Sequence, residues 1–238
     1  MKGGHKIGVV IPALNEEQAI GHVIADIPDW VDRIVVVDNG SEDRTADIAR
    51  AEGAEIVREL QPGYGAACQS GIAALGDMEI IVFLDGDYSD YPEEMRDLVA
   101  PIISGDCQFV LGSRVRGTAE RGALTPQQRF GNWLACSLIR IIWGAQYTDL
   151  GPFRAISTDA LSQLKMSDRG YGWTIEMQIK AVIAGLSMVE VPVSYRQRIG
   201  HSKISGTLKG TLLAGIKILC VIGRFALSSA FSPAAARK

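Results

Sequence analysis

Asp85 and Asp87 stand two residues apart in Phe83-Leu84-Asp85-Gly86-Asp87, at the end of the strongly apolar run Glu79–Leu84. Two carboxylates at that spacing suit a hard cation such as Mg2+ or Mn2+. Such an ion takes one or two carboxylates and completes its shell with phosphate oxygens and water. Gly86 between them leaves the backbone open to close approach by a nucleotide. Asp and Gly are also common turn residues, so the triplet alone fits an acidic turn as well. What favours the cation is the company the pair keeps.

The chain alternates short apolar runs with helical patterns, the signature of parallel βαβ units. The pattern predicts strands at Lys6–Ile11, Arg33–Val37, Glu55–Val57, Glu79–Leu84, Gln108–Leu111 and Met188–Tyr195. It predicts helices at Glu16–Ile27, Glu42–Glu52, Gly65–Leu75 and Phe130–Trp143, and another within Gly170–Ala184. Ser41 is placed to cap the second of these. The polar stretch Val115–Arg129, with Arg116, Arg121 and Arg129, reads as a mobile loop. In open α/β sheets the ligand crevice lies beyond the carboxyl ends of the strands. Asn15/Glu16, Asp38, Asp85/Asp87 and Arg114 each fall just after a predicted strand, so four strand ends bring polar groups to one edge.

Composition narrows the field. A chain of 238 residues, 47% hydrophobic and 21% charged, has room for one large α/β domain. Its net charge of −3, with no basic stripe interleaved with aromatics, excludes a nucleic-acid reader. Cys68, Cys107, Cys136 and Cys220 lack metal-ligand spacing and read as reduced thiols. The N-terminus shows no signal-peptide pattern, which points to the cytoplasm.

Several ordered motifs resemble the family 2 glycosyltransferases. Val10-Ile11-Pro12-Ala13-Leu14-Asn15-Glu16-Glu17 is similar to their opening motif, and Val36-Val37-Asp38-Asn39-Gly40-Ser41-Glu42-Asp43-Arg44-Thr45 to their second. Gly63-Tyr64-Gly65-Ala66-Ala67 resembles the third, and Asp85-Gly86-Asp87 falls where their metal-binding pair stands. Thr148–Ile156 and Arg198-Ile199-Gly200-His201-Ser202-Lys203 extend the likeness toward the dolichol- and polyprenyl-phosphate hexosyltransferases, so that it covers roughly residues 6–210.

The resemblance implies a Rossmann-like nucleotide-diphospho-sugar transferase (GT-A) fold over residues 1–206, with a mostly parallel sheet. It implies inverting, Mg2+- or Mn2+-dependent transfer of a hexose from a UDP-glucose- or GDP-mannose-type donor to a lipid phosphate. On that pattern Pro12, Asn15, Glu16, Asp38, Asp85 and Gly86 serve the nucleotide sugar, and Asp85 and Asp87 hold the metal. Arg198, Ser202 and Lys203 close over the donor diphosphate, while Arg114 and Arg129 lie near the acceptor phosphate, roles that suit Arg forks and Lys point charges. Three positions depart from the family pattern: Leu14 for Tyr, Asn39 for a second Asp and Tyr64 for Lys. All three bear on donor choice.

Asp87 is the first catalytic candidate; Asp149 and Glu176 are the others. Either of the last two acts as a base or merely orders an arginine. An ionised phosphate acceptor needs little base help, whereas a hydroxyl acceptor needs a carboxylate at its proton. The alternatives are therefore a hydroxyl acceptor in glycolipid or polysaccharide synthesis, a nucleotidyltransferase, and an inactive nucleotide-sugar-binding protein. Residues 207–238 are apolar but broken by Lys209, Lys217 and Arg224, too interrupted for a membrane span. A helix here with a basic face reads as interfacial, giving peripheral contact with the inner face of the membrane. The competing reading packs it on the domain or on a second subunit of a homo-oligomer.

Overall fold

The computed structural model describes residues 1–200 and 208–230, with backbone alone for 208–212 and 229–230. Seven strands form one sheet: β1 (Ile7–Ala13), β2 (Arg33–Asp38), β3 (Glu55–Arg58), β4 (Ile80–Phe83), β5 (Phe109–Ser113), β6 (Arg154–Ser157) and β7 (Met188–Pro192). Their order is β3-β2-β1-β4-β6-β5-β7. Every pairing is parallel except the two made by β6, which runs antiparallel between β4 and β5.

The helices are α1 (Ile20–Ala25), α2 (Thr45–Ala51), α3 (Tyr64–Leu75), α4 (Met95–Ile103), α5 (Pro126–Trp143), α6 (Thr158–Leu164), α7 (Trp173–Ile183) and α8 (Leu208–Ala230). Because side chains alternate across a strand, Val9 and Ile11 of β1 join one core with Ile20, Val23 and Leu98. Val10 joins the other with Phe83, Trp173 and Ile179. Both sheet faces are covered, which is why the central strands read as continuous apolar runs.

The structure departs from the pattern-based expectation in several elements. Strand β6 has only four residues and opens on a buried arginine, so its period is too short to see. Helices α4 and α6 were not expected; α4 carries Pro101 within it. Ser41 does not cap α2: its Oγ accepts from the backbone N–H of Asn15 at 2.9 Å, and α2 starts at Thr45. The stretch Val115–Arg129 is not a loop to its end. Thr125 caps α5 by accepting from the Gln128 N–H, and Gln128 Oε1 accepts from the Thr125 N–H in return.

The basic face expected on the last helix is also corrected. Lys217 pairs with Asp168 at 2.7 Å, and Arg224 stands 3.7 Å from Glu176. These cations flank α8 on the protein side, and its outward face is apolar, with Leu213, Ile216, Leu219 and Leu227 exposed. No described helix is long and apolar enough to cross a membrane.

Candidate active site

Strand ends β1, β2 and β4 deliver the groups expected to serve the donor. After β1, Asn15 adopts a left-handed φ of 53°, and its Oδ1 accepts from the Glu42 N–H. The Glu16 N–H donates to Thr45 Oγ1 at 2.7 Å. Asp38 closes β2 and accepts from the Ser41 N–H at 2.8 Å. Pro12, in the last turn of β1, pairs with Val37 beside it. Asn39, one of the family departures, is wholly used by backbone. Its Nδ2 donates to the carbonyls of Glu59 and Gln61, and its Oδ1 accepts from the Gly63 N–H. Gly63, at φ 142°, lies so close to residue 169 that an added Cβ would sit 2.1 Å from the Arg169 carbonyl.

After β4, Asp85 and Asp87 face one cavity. Tyr64, another departure, donates its hydroxyl to Asp85 Oδ1 at 3.1 Å. Burial, together with the neighbouring Asp87 charge, pushes the Asp85 carboxyl up to about 7. Asp87 Oδ1 accepts from the backbone and hydroxyl of Ser89, and its Oδ2 lies 3.0 Å from Arg198 Nη1. The other arm of that guanidinium reaches Glu16 Oε1 at 2.9 Å. A cation thus already sits between the nucleotide-side and metal-side carboxylates, which is the charge balance a bound Mg2+ or Mn2+ would meet. Asp85 and Asp87 fit such an ion in number and ligand type. A Cβ at Gly86 would meet Ile11, Ile20 and the Pro12 carbonyl at an ordinary 3.5 Å, so the protein's own packing does not require glycine there.

The loop behind the pair holds groups the sequence reading missed. Tyr88 has φ 64°, a strained value for a tyrosine. Arg196 stacks on its ring at 3.3 Å and on Tyr91 at 4.2 Å. It also donates to the carbonyls of Tyr88 and Asp90. Arg196 therefore pins the metal loop to the segment that leads into Arg198. Among the described residues, neither oxygen of the buried Asp90 meets a donor at bonding geometry. Burial, reinforced by Asp85 and Asp87, holds its carboxyl well above the usual range. The sequence signal was weak, because Arg196 and Asp90 belong to no motif quoted above.

The groups expected at the acceptor come from later in the chain. Arg114 donates from its backbone and Nε to Asp149 Oδ2 and from Nη2 to Asp149 Oδ1, all within 2.8 Å, and lies 4.9 Å over the Tyr195 ring. Asp149 accepts a further bond from the Leu150 N–H, so its two oxygens are saturated. Glu176 is fully buried on α7, accepts from Ser167, Asp168 and Lys180, and does not line the cavity. The structure brings Asp85, Asp87, Arg114, Arg129, Asp149 and Arg198 to one cavity of about 890 Å3. It leaves Glu176 out, and Pro12, Asn15, Glu16, Asp38 and Gly86 do not line it either. Ser202 and Lys203 lie outside the described residues.

The cavity is lined by Asp85 and Asp87, by Arg114, Arg129 and Arg140, and by Trp133, Ala214 and Ile218 of α5 and α8. Trp133 is largely exposed, which gives the cavity an apolar mouth on the side of α5.

Comparison with known proteins agrees with this geometry. The description "Glycosyl transferase family 2" matches residues 8–164, and the chain belongs to that family. It is a glycosyltransferase with the GT-A architecture. An uncharacterized glycosyltransferase of Mycobacterium tuberculosis is 37% identical over 213 residues, covering 89% of this chain and 95% of that one. A dolichyl-phosphate hexose transferase of Haloferax volcanii is 33% identical over 202 residues, covering 83% and 86%. Among solved structures, glucosyl-3-phosphoglycerate synthase of M. tuberculosis, bound to Mn2+, UDP and glucosyl-3-phosphoglycerate, superposes with a TM-score of 0.73. The two are 28% identical, over 93% of this chain and 81% of that one. The same enzyme has been solved with Mg2+ and UDP.

Proposed function

We propose that the protein transfers a hexose, with inversion, from a UDP-glucose- or GDP-mannose-type donor to a polyprenyl or dolichyl phosphate. The observation that carries this reading is the acceptor end of the cavity. Its one carboxylate beyond the metal pair, Asp149, is saturated by Arg114 and Leu150, so no carboxylate is left to deprotonate a hydroxyl. Three arginines and an apolar mouth remain, which suit an anionic head on a hydrocarbon tail. A phosphate acceptor is ionised at neutral pH and attacks without a base.

In this scheme Pro12, Asn15, Glu16 and Asp38 bind the nucleoside, and Arg198, Ser202 and Lys203 bind the donor diphosphate. Gly86 leaves room for the nucleotide beside the metal pair. Arg114 and Arg129 hold the acceptor phosphate on the far face of the anomeric carbon. Asp149 orients Arg114, and Glu176 orders residues 167–168 beneath α7 rather than moving a proton. The ion at Asp85 and Asp87, when bound, offsets the charge that develops on the leaving diphosphate. The enzyme works peripherally at the cytoplasmic face of a membrane, with residues 1–206 carrying the chemistry and 207–238 the contact.

The test is donor turnover by the purified chain with Mn2+ or Mg2+, with and without a short-chain polyprenyl phosphate. Acceptor-stimulated, chelator-sensitive release of UDP or GDP supports the reading. Undiminished release by both Asp85→Ala and Asp87→Ala would sink the metal role. A hydroxyl acceptor is the second reading, favoured by the superposition on a synthase bound to a glycerate sugar. Turnover with phosphoglycerate but not with the lipid phosphate would establish it.

A further inference from the structure

Helices α5 and α8 together carry Arg129, Arg140, Lys209, Lys217 and Arg224 and no Asp or Glu, in a chain of net charge −3. The same two helices hold most of the largest exposed apolar side chains. Phe130 and Trp133 are each 61% exposed and Ile141 79%; Leu213 and Ile216 are each 49% exposed and Leu227 65%. At 100° per residue the α5 trio falls within about 80° of arc and the α8 trio within about 60°. Phe130 and Trp133 pair with ring centroids 5.9 Å apart. The helices pack against one another, so the two stripes belong to neighbouring elements.

We propose that α5 and α8 form a two-helix docking face for the anionic surface of a lipid bilayer. The assignment rests on the lipid-phosphate reading above and extends it to α5, which the sequence marks as a helix but not as a membrane contact. Two observations select a lipid surface over a second copy of the chain. First, the charge is complementary: Arg129 and Arg140 of α5 are exposed with no acid on either helix, and they answer anionic headgroups, while Lys217 and Arg224 are taken up by Asp168 and Glu176. Face-to-face self-association would instead set arginine against arginine. Second, the face is continuous with the cavity mouth, which Trp133, Ala214 and Ile218 line. An acceptor phosphate reaches Arg114 and Arg129 from that mouth while its tail stays in the leaflet. Aromatic rings beside basic side chains are what an interfacial element presents.

The test is sedimentation of the full chain with vesicles of phosphatidylcholine alone or with a phosphatidylglycerol fraction, without acceptor. The wild type is expected to bind the anionic vesicles and to release as salt rises. Combining Phe130→Ser, Ile141→Ser, Leu213→Gln and Ile216→Gln, none of which lines the cavity, should weaken that binding at least tenfold. Transfer to a water-soluble, short-chain acceptor phosphate should stay unchanged in the same variant, which also shows that it folds. Equal vesicle binding by wild type and variant overturns the proposal, as does a wild-type dimer that these substitutions dissolve. Vesicle binding that the variant loses, in a protein that transfers to no lipid phosphate, upholds the docking face and overturns the acceptor reading instead.

Discussion

Arg198 Nη1 lies 3.0 Å from Asp87 Oδ2, and through that contact the guanidinium holds the place beside the carboxylate pair that a metal ion would contest. Cation and metal compete for the same charge, so Arg198→Ala should bind Mn2+ about five- to tenfold more tightly in the absence of nucleotide. Transfer should fall by about tenfold or more in the same variant, because the arginine is lost from the diphosphate. Calorimetry of Mn2+ binding checks the first effect and turnover the second. Weaker metal binding in the variant would remove the competition.

The Asp85 carboxyl, pushed up to about 7 by burial and by Asp87, ties metal binding to pH. A cation takes only the ionised form. Apparent Mn2+ affinity should therefore be level above about pH 7 and fall by up to about tenfold per unit below it, with a proton released on binding. Tyr64→Phe removes the hydroxyl that favours the charged form and should move this midpoint upward. A flat profile from pH 5.5 to 8 would contradict the assignment.

Asp149→Asn separates an ordering role from a basic one. It breaks the two-point contact with Arg114, so KM for a phosphate acceptor should rise by about ten- to a hundredfold. A loss confined to kcat, with KM unchanged and the acid-side limb of the pH profile gone, would make Asp149 the base after all.

Helix α8 should loosen in acid. Burial alone would raise the Asp168 and Glu176 carboxyls, but Lys217 and the Gly170 and Gly172 N–H groups hold Asp168 low, and Lys180, Ser167 and Asp168 hold Glu176 low. Native values below the unfolded ones give stability that is full above the ordinary carboxylate range, about 4, and lost as pH falls through the native values. Amide exchange in α8 should speed up in that window before it does in β1. Lys217→Ala should bring the same loosening at neutral pH.

The donor half was legible because its chemistry follows strand ends. Val9–Ile11, Val35–Val37 and Ile80–Phe83 are apolar runs that stop at Asn15, Asp38 and Asp85, so strand ends and polar groups were read together. The acceptor half was less so. Its β6 has four residues and begins with an arginine, and the first turn of α5, before the apolar run Phe130–Trp143, announces itself only by Thr125-Pro126-Gln127-Gln128, a capping signal inside a polar stretch. Periodicity also placed Lys217 and Arg224 on one side of α8 without saying what lay opposite. Asp168 and Glu176, far from α8 in sequence, decide that. Arg196, with its two tyrosines and two carbonyls, is a tertiary fact that no local spacing carries.

The reversed strand β6 divides the sheet into two parallel blocks. On one side β1 to β4 form an uninterrupted parallel block that ends in the metal carboxylates; on the other, β5 and β7 share a later stretch of chain with α5, α7 and α8. Only a four-residue ladder on each side of β6, or fewer, stitches the blocks into one sheet. The molecule is thus built like a tool with a fixed handle and an exchangeable head. On the proposed assignment, exchanging the segment from β5 to β7 for that of a relative, with Asp85, Asp87 and Arg198 kept, should change the acceptor and leave the donor as it was.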